Sequence, residues 1–395
     1  MAQSIDLTAA VRADEDRLID IRRYLHAHPE LSNEEHATTE LVIAELEALG
    51  ATRVPLDIAT GAAFVLEGGK PGRTVLLRAD LDGLPITEER DDLTFASKRA
   101  GAMHACGHDA HTAGLIGTAK ALAAHLEDLP GRYIITFQPA EEGQGGAKEM
   151  VAAGLLEATK PDAALAWHSA SIFPTGYVGT RNDVLMAGFD AFSFELHGTG
   201  GHGALAASLG GNVLLSAAGI AGRLDAAVAE QVYEGTPCSC SAGILESGTA
   251  PNVIPAHARV GGTLRTFTPA QRSEAMARLA DLAAEVSASE GVHVELQWTN
   301  SSDPVVNDPA VSDQLREAAR GVLGADAVLE LPPVTPSEDM SEFLNRVPGC
   351  FFFVGAGLPD GTSGGHHMAT FAIDDACVGT GAAVLAEAAQ VAARS

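Results

Sequence analysis

Between residues 187 and 299 the order of hydrophobic segments is β-α-β-β-α-β, whereas on both sides of this stretch helices and strands alternate. Phe192, Phe194 and Leu196 alternate with Ser193, Glu195 and His197, the period of a half-buried strand. A helical segment follows at 212–228, then strands near 239–245 and 258–267, a helix at 269–287 and a strand at 292–298. Such a split unit closes a small two-layer α+β domain by itself. Residues 187–299 are therefore predicted to form an inserted domain. Residues 1–186 and 300–395 are predicted to form one discontinuous α/β domain around it, in keeping with a length prior of roughly 150 residues per domain.

The flanks supply the details. Leu18, Ile21 and Leu25 recur at helical spacing. A second helix is predicted to open on a capping box of Ser32 and Glu35 and to stop before Gly50. Residues 62–66 and 74–78 are apolar runs separated by GGKPG, which reads as a hairpin turn. A long helix follows HACGHD, and strands are predicted at 133–137, 163–167 and 350–354. The last helix covers 374–393. The α/β alternation calls for a mostly parallel or mixed sheet with helices on its faces.

Lys and Arg number 25 against 52 Asp and Glu, a formal charge of -27. That field repels nucleic-acid backbones and anionic lipid surfaces, so neither is an expected partner. Five cysteines without framework spacing fit a reducing cytoplasm, and the N-terminal residues show no signal-peptide pattern. No apolar run in the sequence reads as a membrane span.

The chemistry concentrates after predicted strands. HACGHDAH, residues 104–111, brings three His, one Cys and one Asp to a loop ahead of a helix. Glu141 and Glu142 follow the strand at 133–137, Trp167 and His168 end the next, and His366 and His367 lie in a Gly-rich loop before the last helix. Asp80 and Asp82 end the strand at 74–78. Any one of these has an ordinary reading: a capped turn, an acidic residue at a helix N-terminus, a hydrogen-bonded histidine. In an α/β sheet, however, strand ends converge on one crevice. One thiol, several imidazoles and carboxylates there suit zinc or another borderline ion, with donors enough for two.

The segments RADLDGLP, HACGHDAH, FQPAEEGQGGAKEMVAAGLL, HGTGGHG, APNVIP and GTLRTF resemble the metal-dependent amidohydrolases that include hippurate hydrolase, indole-acetyl-amino-acid hydrolases and aminobenzoyl-glutamate hydrolase, with carboxypeptidase-type metallopeptidases beside them. The similarity runs from about Arg22 to the last helix. It implies a two-metal, zinc-peptidase-like catalytic domain interrupted by a lid domain that dimerises. It implies Cys106, His108, Glu142, His168 and His367 as metal ligands, Glu141 as general base, and His202 as an oxyanion donor supplied from the partner subunit. Asn252 and Arg265 resemble the residues that hold a substrate carboxylate, and Asp82 a supporting residue behind the ligands. The role of Asp80 stays open. The cofactors implied are two divalent ions, zinc or manganese ahead of cobalt or nickel, and the substrate is an N-acyl amino acid or related amide. Ala206 and Ala207 stand where the closest group usually has Pro-His, so the lid-side pocket differs.

Three other readings compete. A dipeptidase or carboxypeptidase would use the same fold, and a non-catalytic binding protein would have no use for Glu141. Gly198, Gly200 and Gly203 fit a dinucleotide fingerprint of an oxidoreductase, but Asp225 lies in a predicted helix rather than at a strand end. Gly361, Ser363 and Gly365 fit a nucleophile-elbow pattern without the helix that should follow.

Overall fold

A computed structural model of the chain describes residues 5–143 and 145–394; Gln144 of the acidic motif lies outside the described residues. The chain divides into two compact units. The described residues of Met1–Asp183, Val306–Leu331 and Asp339–Ser395 form the first, and Val184–Val305 with Pro332–Glu338 form the second. The second unit thus extends past the predicted 187–299 at both ends and takes in a short return of chain assigned by sequence to the discontinuous domain. Backbone pairing explains the return: Ala187 N–H donates to Val334 O at 3.0 Å, and Val334 N–H to Leu185 O at 2.9 Å. A segment that short carries no periodicity of its own.

The first unit is built on an eight-stranded mixed sheet in the order Thr52–Arg53, Ala62–Glu67, Pro130–Gln138, Lys70–Asp80, Ala163–Pro174, Gly349–Gly357, Val178–Thr180, Val328–Glu330. Its four central strands are parallel to one another. Leu76, Leu77, Ile134, Ile135, Phe351 and Phe352 are buried, the continuous apolar character of strands covered on both faces. Parallel alignment also places the carboxyl ends of Lys70–Asp80, Pro130–Gln138 and Ala163–Pro174 along one edge, where ligands of α/β sheets bind.

Two local expectations are corrected. Ala62–Glu67 and Lys70–Asp80 do not form a hairpin, because Pro130–Gln138 lies between them, antiparallel to the first and parallel to the second. The GGKPG segment instead crosses the start of that strand, with Gly68 N–H donating to Gly131 O at 2.8 Å and Lys70 N–H to Leu129 O at 3.1 Å. Nor do Ser32 and Glu35 form a capping box. The helix His36–Ala48 has no side-chain cap, and both residues reach into the acidic loop described below.

Trp167 and His168, predicted to end a strand, lie within Ala163–Pro174, which continues past them in pairing with Gly349–Gly357. The helices His108–Ala123 and Ala376–Arg394 pack together, and a Cβ at Gly114 or Gly381 would lie 2.6 or 2.5 Å from the indole. Only glycine at these two places lets both helices close on the ring. Ala376–Arg394 is long and apolar enough to cross a membrane by length and composition, a feature the sequence reading passed over. Most of its side chains are buried in the core of the first unit.

The second unit holds a four-stranded antiparallel sheet in the order Ser239–Ser247, His257–Thr266, Gly188–His197, His293–Ser302. Phe192, Phe194, Leu196, Val260 and Leu264 form its core with Val213, Ile220, Leu279 and Val286 from the helices. The helix predicted over 212–228 is two, Val213–Ala221 and Leu224–Val228, interrupted at Gly222 and Arg223.

Candidate metal centre

The centre starts from one glycine. Gly107 has φ +94°, and a Cβ there would stand 2.3 Å from Ser169 Oγ, so the chain turns between Cys106 and His108 as only glycine allows. His108 opens the helix His108–Ala123 and is fully buried. Its Nδ1 lies 3.3 Å from Asp82 Oδ1. Its Nε2 has no hydrogen-bond partner among the described residues. Three carboxylate oxygens surround that nitrogen at longer range: Asp80 Oδ2 at 3.8 Å, and Glu141 Oε2 and Glu142 Oε1 each at 3.9 Å.

Asp82 and Glu35 shape the acidic loop. Asp82 accepts the backbone N–H groups of Glu141 at 3.1 Å and Glu142 at 3.0 Å, and the Ser32 hydroxyl at 2.7 Å. Buried Glu35 accepts Ala140 N–H and the Thr60 hydroxyl, both at 2.8 Å. Burial raises the Glu35 pKa, while the same burial of Asp82 is outweighed by His108 and its other donors, which hold its carboxyl low. These two carboxylates, far from the loop in sequence, satisfy its backbone donors and fix Glu141 and Glu142.

His168 Nδ1 donates to Ser169 O at 2.7 Å, which turns Nε2 toward Cys106 Sγ at 3.4 Å. His367 Nε2 lies 3.2 Å from Glu142 Oε1. Its backbone adopts φ 62°, unusual for a residue with a side chain, and its N–H donates to Ala105 O at 2.8 Å, tying the two histidine loops together. His366 Nδ1 sits 3.7 Å from Cys106 Sγ, so both members of the His-His pair reach the centre.

His111 and Asp80 are occupied otherwise. His111 Nδ1 donates to Asp80 at 2.7 Å and its Nε2 accepts Ser169 N–H at 2.9 Å, leaving no lone pair for an ion. Burial pushes its pKa down to about 3, so it is neutral. Asp80 also accepts from Arg78 at 2.7 Å. Its place is behind the centre, orienting His111.

Ligand atoms of Cys106, His108 and His168, of Cys106, Glu142 and His367, and of His108, Glu141 and Glu142 each fall within 4.8 Å of one another. Burial depresses the His108 pKa, but the Asp80 charge and the Asp82 hydrogen bond outweigh it and push it up to about 10. A buried imidazole nitrogen facing three carboxylates beyond hydrogen-bond length, with a thiol and two more imidazoles alongside, is the arrangement that divalent ions satisfy. The residues fit the two-ion expectation.

Residues 76–391 match the model of peptidase family M20/M25/M40. The chain belongs to this family. It is 36% identical over 377 residues to a thermostable carboxypeptidase of Saccharolobus solfataricus, covering 94% of each chain. It is 35% identical over 364 residues to N-acetyl-L-cysteine deacetylase of Bacillus subtilis, covering 92% of this chain and 85% of the relative. A dinuclear metal binding peptidase of the M20 family from Bacillus subtilis superposes with a TM-score of 0.81 at 30% identity, covering 96% of this chain and 98% of that one. The protein is therefore a metal-dependent amide-bond hydrolase of the M20 type.

The other residues singled out by sequence, His202, Asn252 and Arg265, lie in the second unit. His202 is exposed, pairs with Val253 in a short ladder, and accepts Ala204 N–H on Nδ1 at 3.1 Å. Exposed Asn252 stands beside it, its carbonyl accepting Gly203 N–H at 2.8 Å. Arg265 lies 4.6 Å over the Phe189 ring and donates to the Ser337 hydroxyl. Ala206 is exposed, and the side chain of Ala207 lies outside what is described. The glycines at 198–203 lead into the short 3-10 turn Gly203–Ser208, not the long helix of a dinucleotide site. The Ser363 hydroxyl accepts Leu358 N–H at 2.6 Å in a loop with no elbow helix.

Sequence reasoning missed the role of Glu35, and it named His111 and His366 without assigning either a place. A carboxylate predicted as a helix cap and a histidine within a helix gave no local sign of their partners, Ala140 and Ser169, which are distant in the chain.

Proposed function

We propose that this M20 enzyme removes the acyl group from an N-acyl amino acid or a closely related amide, using two divalent ions held by Cys106, His108, Glu142, His168 and His367. The observation that carries the reading is the buried, unbonded His108 Nε2 facing Asp80, Glu141 and Glu142, with Cys106, His168 and His367 close by. Zinc or manganese matches this mixed donor set. Such ions supply Lewis-acid activation of water and of the substrate carbonyl when bound.

Glu141 then acts as general base and returns the proton to the leaving amine. Its backbone is held by Asp82 and its carboxylate stands at the mouth of the centre, with Oε2 3.9 Å from His108 Nε2. Asp82 and the Ser169 carbonyl orient His108 and His168 through their other ring nitrogens. His202 from a partner subunit donates to the developing oxyanion, and Asn252 with Arg265 holds the substrate carboxylate. In a chain of charge -27, a cation at that position supplies the local reversal an anionic substrate needs.

Dimerisation through the second unit is supported by its exposed apolar side chains, among them Leu215 and Leu245. The five cysteines, free and buried, support a reducing, cytoplasmic setting. The defining experiment measures amine release from a panel of N-acyl amino acids and dipeptides with zinc- or manganese-loaded protein, beside Glu141→Gln. Release from acyl amino acids that the variant lacks supports the reading; release only from dipeptides would replace it with a peptidase.

A further inference from the structure

The second unit carries a row of three histidines that the hydrolytic reading does not use. His197 is paired in register with His257 on one neighbouring strand and with His293 on the other. One residue along each strand, Leu196, Ala258 and Val294 are also paired, and all three are buried in the core of the unit. Because side chains alternate between the two faces of a sheet, His197, His257 and His293 project together from the opposite, open face. All three are exposed. Directly opposed residues on adjacent strands have Cβ atoms about 4.5–5.5 Å apart, and the rings lie as close as that implies. The centroid of His197 is 5.2 Å from that of His257 and 6.4 Å from that of His293.

The next row on the same face is charged. Glu195 is paired with Arg259 and with Glu295. His257 Nε2 lies 3.0 Å from Glu195 Oε2, and His293 Nε2 lies 3.1 Å from Glu295 Oε1. Arg259 approaches Glu195 Oε1 at 3.4 Å. Among the described residues the central ring, His197, takes part in ring contacts alone.

We infer that His197, His257 and His293 form a surface site for one borderline transition ion, such as Zn²⁺ or Ni²⁺, separate from the hydrolytic centre. Imidazole is the ligand these ions share, and three of them stand in one row with two carboxylates beside them to offset the charge of the ion. The outer rings are exposed; among the described residues His257 is held by the partly buried Glu195 and His293 by the exposed Glu295. Binding requires both outer side chains to rotate toward His197, and each imidazole has a second nitrogen with which to bond Glu195 or Glu295, the arrangement that usually orients metal-bound histidine. The surrounding excess of negative charge favours arrival of a cation.

Equilibrium dialysis of the full-length protein against Zn²⁺ or Ni²⁺ alone, followed by metal analysis, tests the site. Wild type is expected to bind one ion beyond the complement of the hydrolytic centre. His197→Gln should lose that equivalent, and so should the double variant His257→Gln with His293→Gln. Cys106→Ala should lose ions of the hydrolytic centre and retain this one, so the two sites are counted independently. Circular dichroism of each variant confirms that it is folded, which an exposed substitution permits. The site is overturned if wild type binds nothing beyond the hydrolytic complement, or if both histidine variants keep the extra equivalent.

Discussion

The two units place polar side chains in opposite ways. In the first, His108, Asp80, Asp82, His111 and Glu35 are buried, most of them held by several partners, and among the described residues His108 Nε2 and Glu142 Oε1 are buried without a hydrogen bond. In the second, His202 and Asn252 are exposed and held through short ladders or backbone contacts. The contrast is between groups set before any ligand arrives and groups that settle on one. Ions need several donors held in position at once, whereas a donor to a substrate oxygen needs only to reach it. Substitutions in the first unit should therefore alter metal content or the proton transfer itself, and those in the second should alter turnover with metals in place.

The largest effect is expected for Glu141→Gln. Removing a general base costs about 10²–10⁴-fold in rate, and because the amide keeps its place in the loop, metal content should stay at the wild-type value. Metal analysis beside steady-state kinetics checks both halves; loss of metal with activity would make Glu141 a ligand instead. Next, His202→Ala should lower kcat by about 10²–10³-fold, the usual consequence of losing one oxyanion donor, with metal content unchanged. A variant with wild-type kcat would remove the second unit from the chemistry and break the comparison from that side.

Asp82→Ala tests the buried side. It removes the acceptor of His108 Nδ1 and of two loop N–H groups, so metal affinity should fall by about 10–100-fold, as for other partners behind metal ligands. Competition with a chelator measures this directly, and unchanged affinity would show that the loop holds itself. The smallest effect is a proton count. In the metal-free protein His108 is pushed up to about 10 by Asp80 and Asp82 against the opposing effect of burial. A histidine with a raised pKa contributes stability that is fully present below its unfolded value of about 6.5 and fades as pH rises through about 10. At pH 8 it therefore carries a proton that an ion must displace. Calorimetry in buffers of different ionisation enthalpy should show about one proton released from this group, with the release declining as pH approaches 10.

What the sequence made legible follows the same division. Short apolar runs alternating with helical segments identified the sheet of the first unit, and period-two alternation identified the insertion, since burial leaves a direct imprint on the chain. Local position implied convergence for Asp80, Asp82, Glu141 and Glu142, which stand at or just past the ends of parallel strands, whereas His168 lies within Ala163–Pro174. Relations settled by distant backbone groups were not legible. GGKPG looked like a hairpin because glycine and proline signal a turn but not which strand will fill the space beside it. Ser32 and Glu35 had capping spacing, yet the Ala140 N–H draws Glu35 and the Asp82 carboxylate draws Ser32. Pro332–Glu338 joined the second unit through main-chain pairing, which leaves no side-chain pattern. His366 was set aside in favour of His367 by motif, although the turn brings both to Cys106 and Glu142.

The most direct test of the account is an anomalous-scattering map from crystals of the full-length protein grown with manganese. Two peaks are expected in the first unit, in contact with Cys106, His108, Glu142, His168 and His367. Their absence at full manganese saturation, or peaks held by other residues, would contradict it.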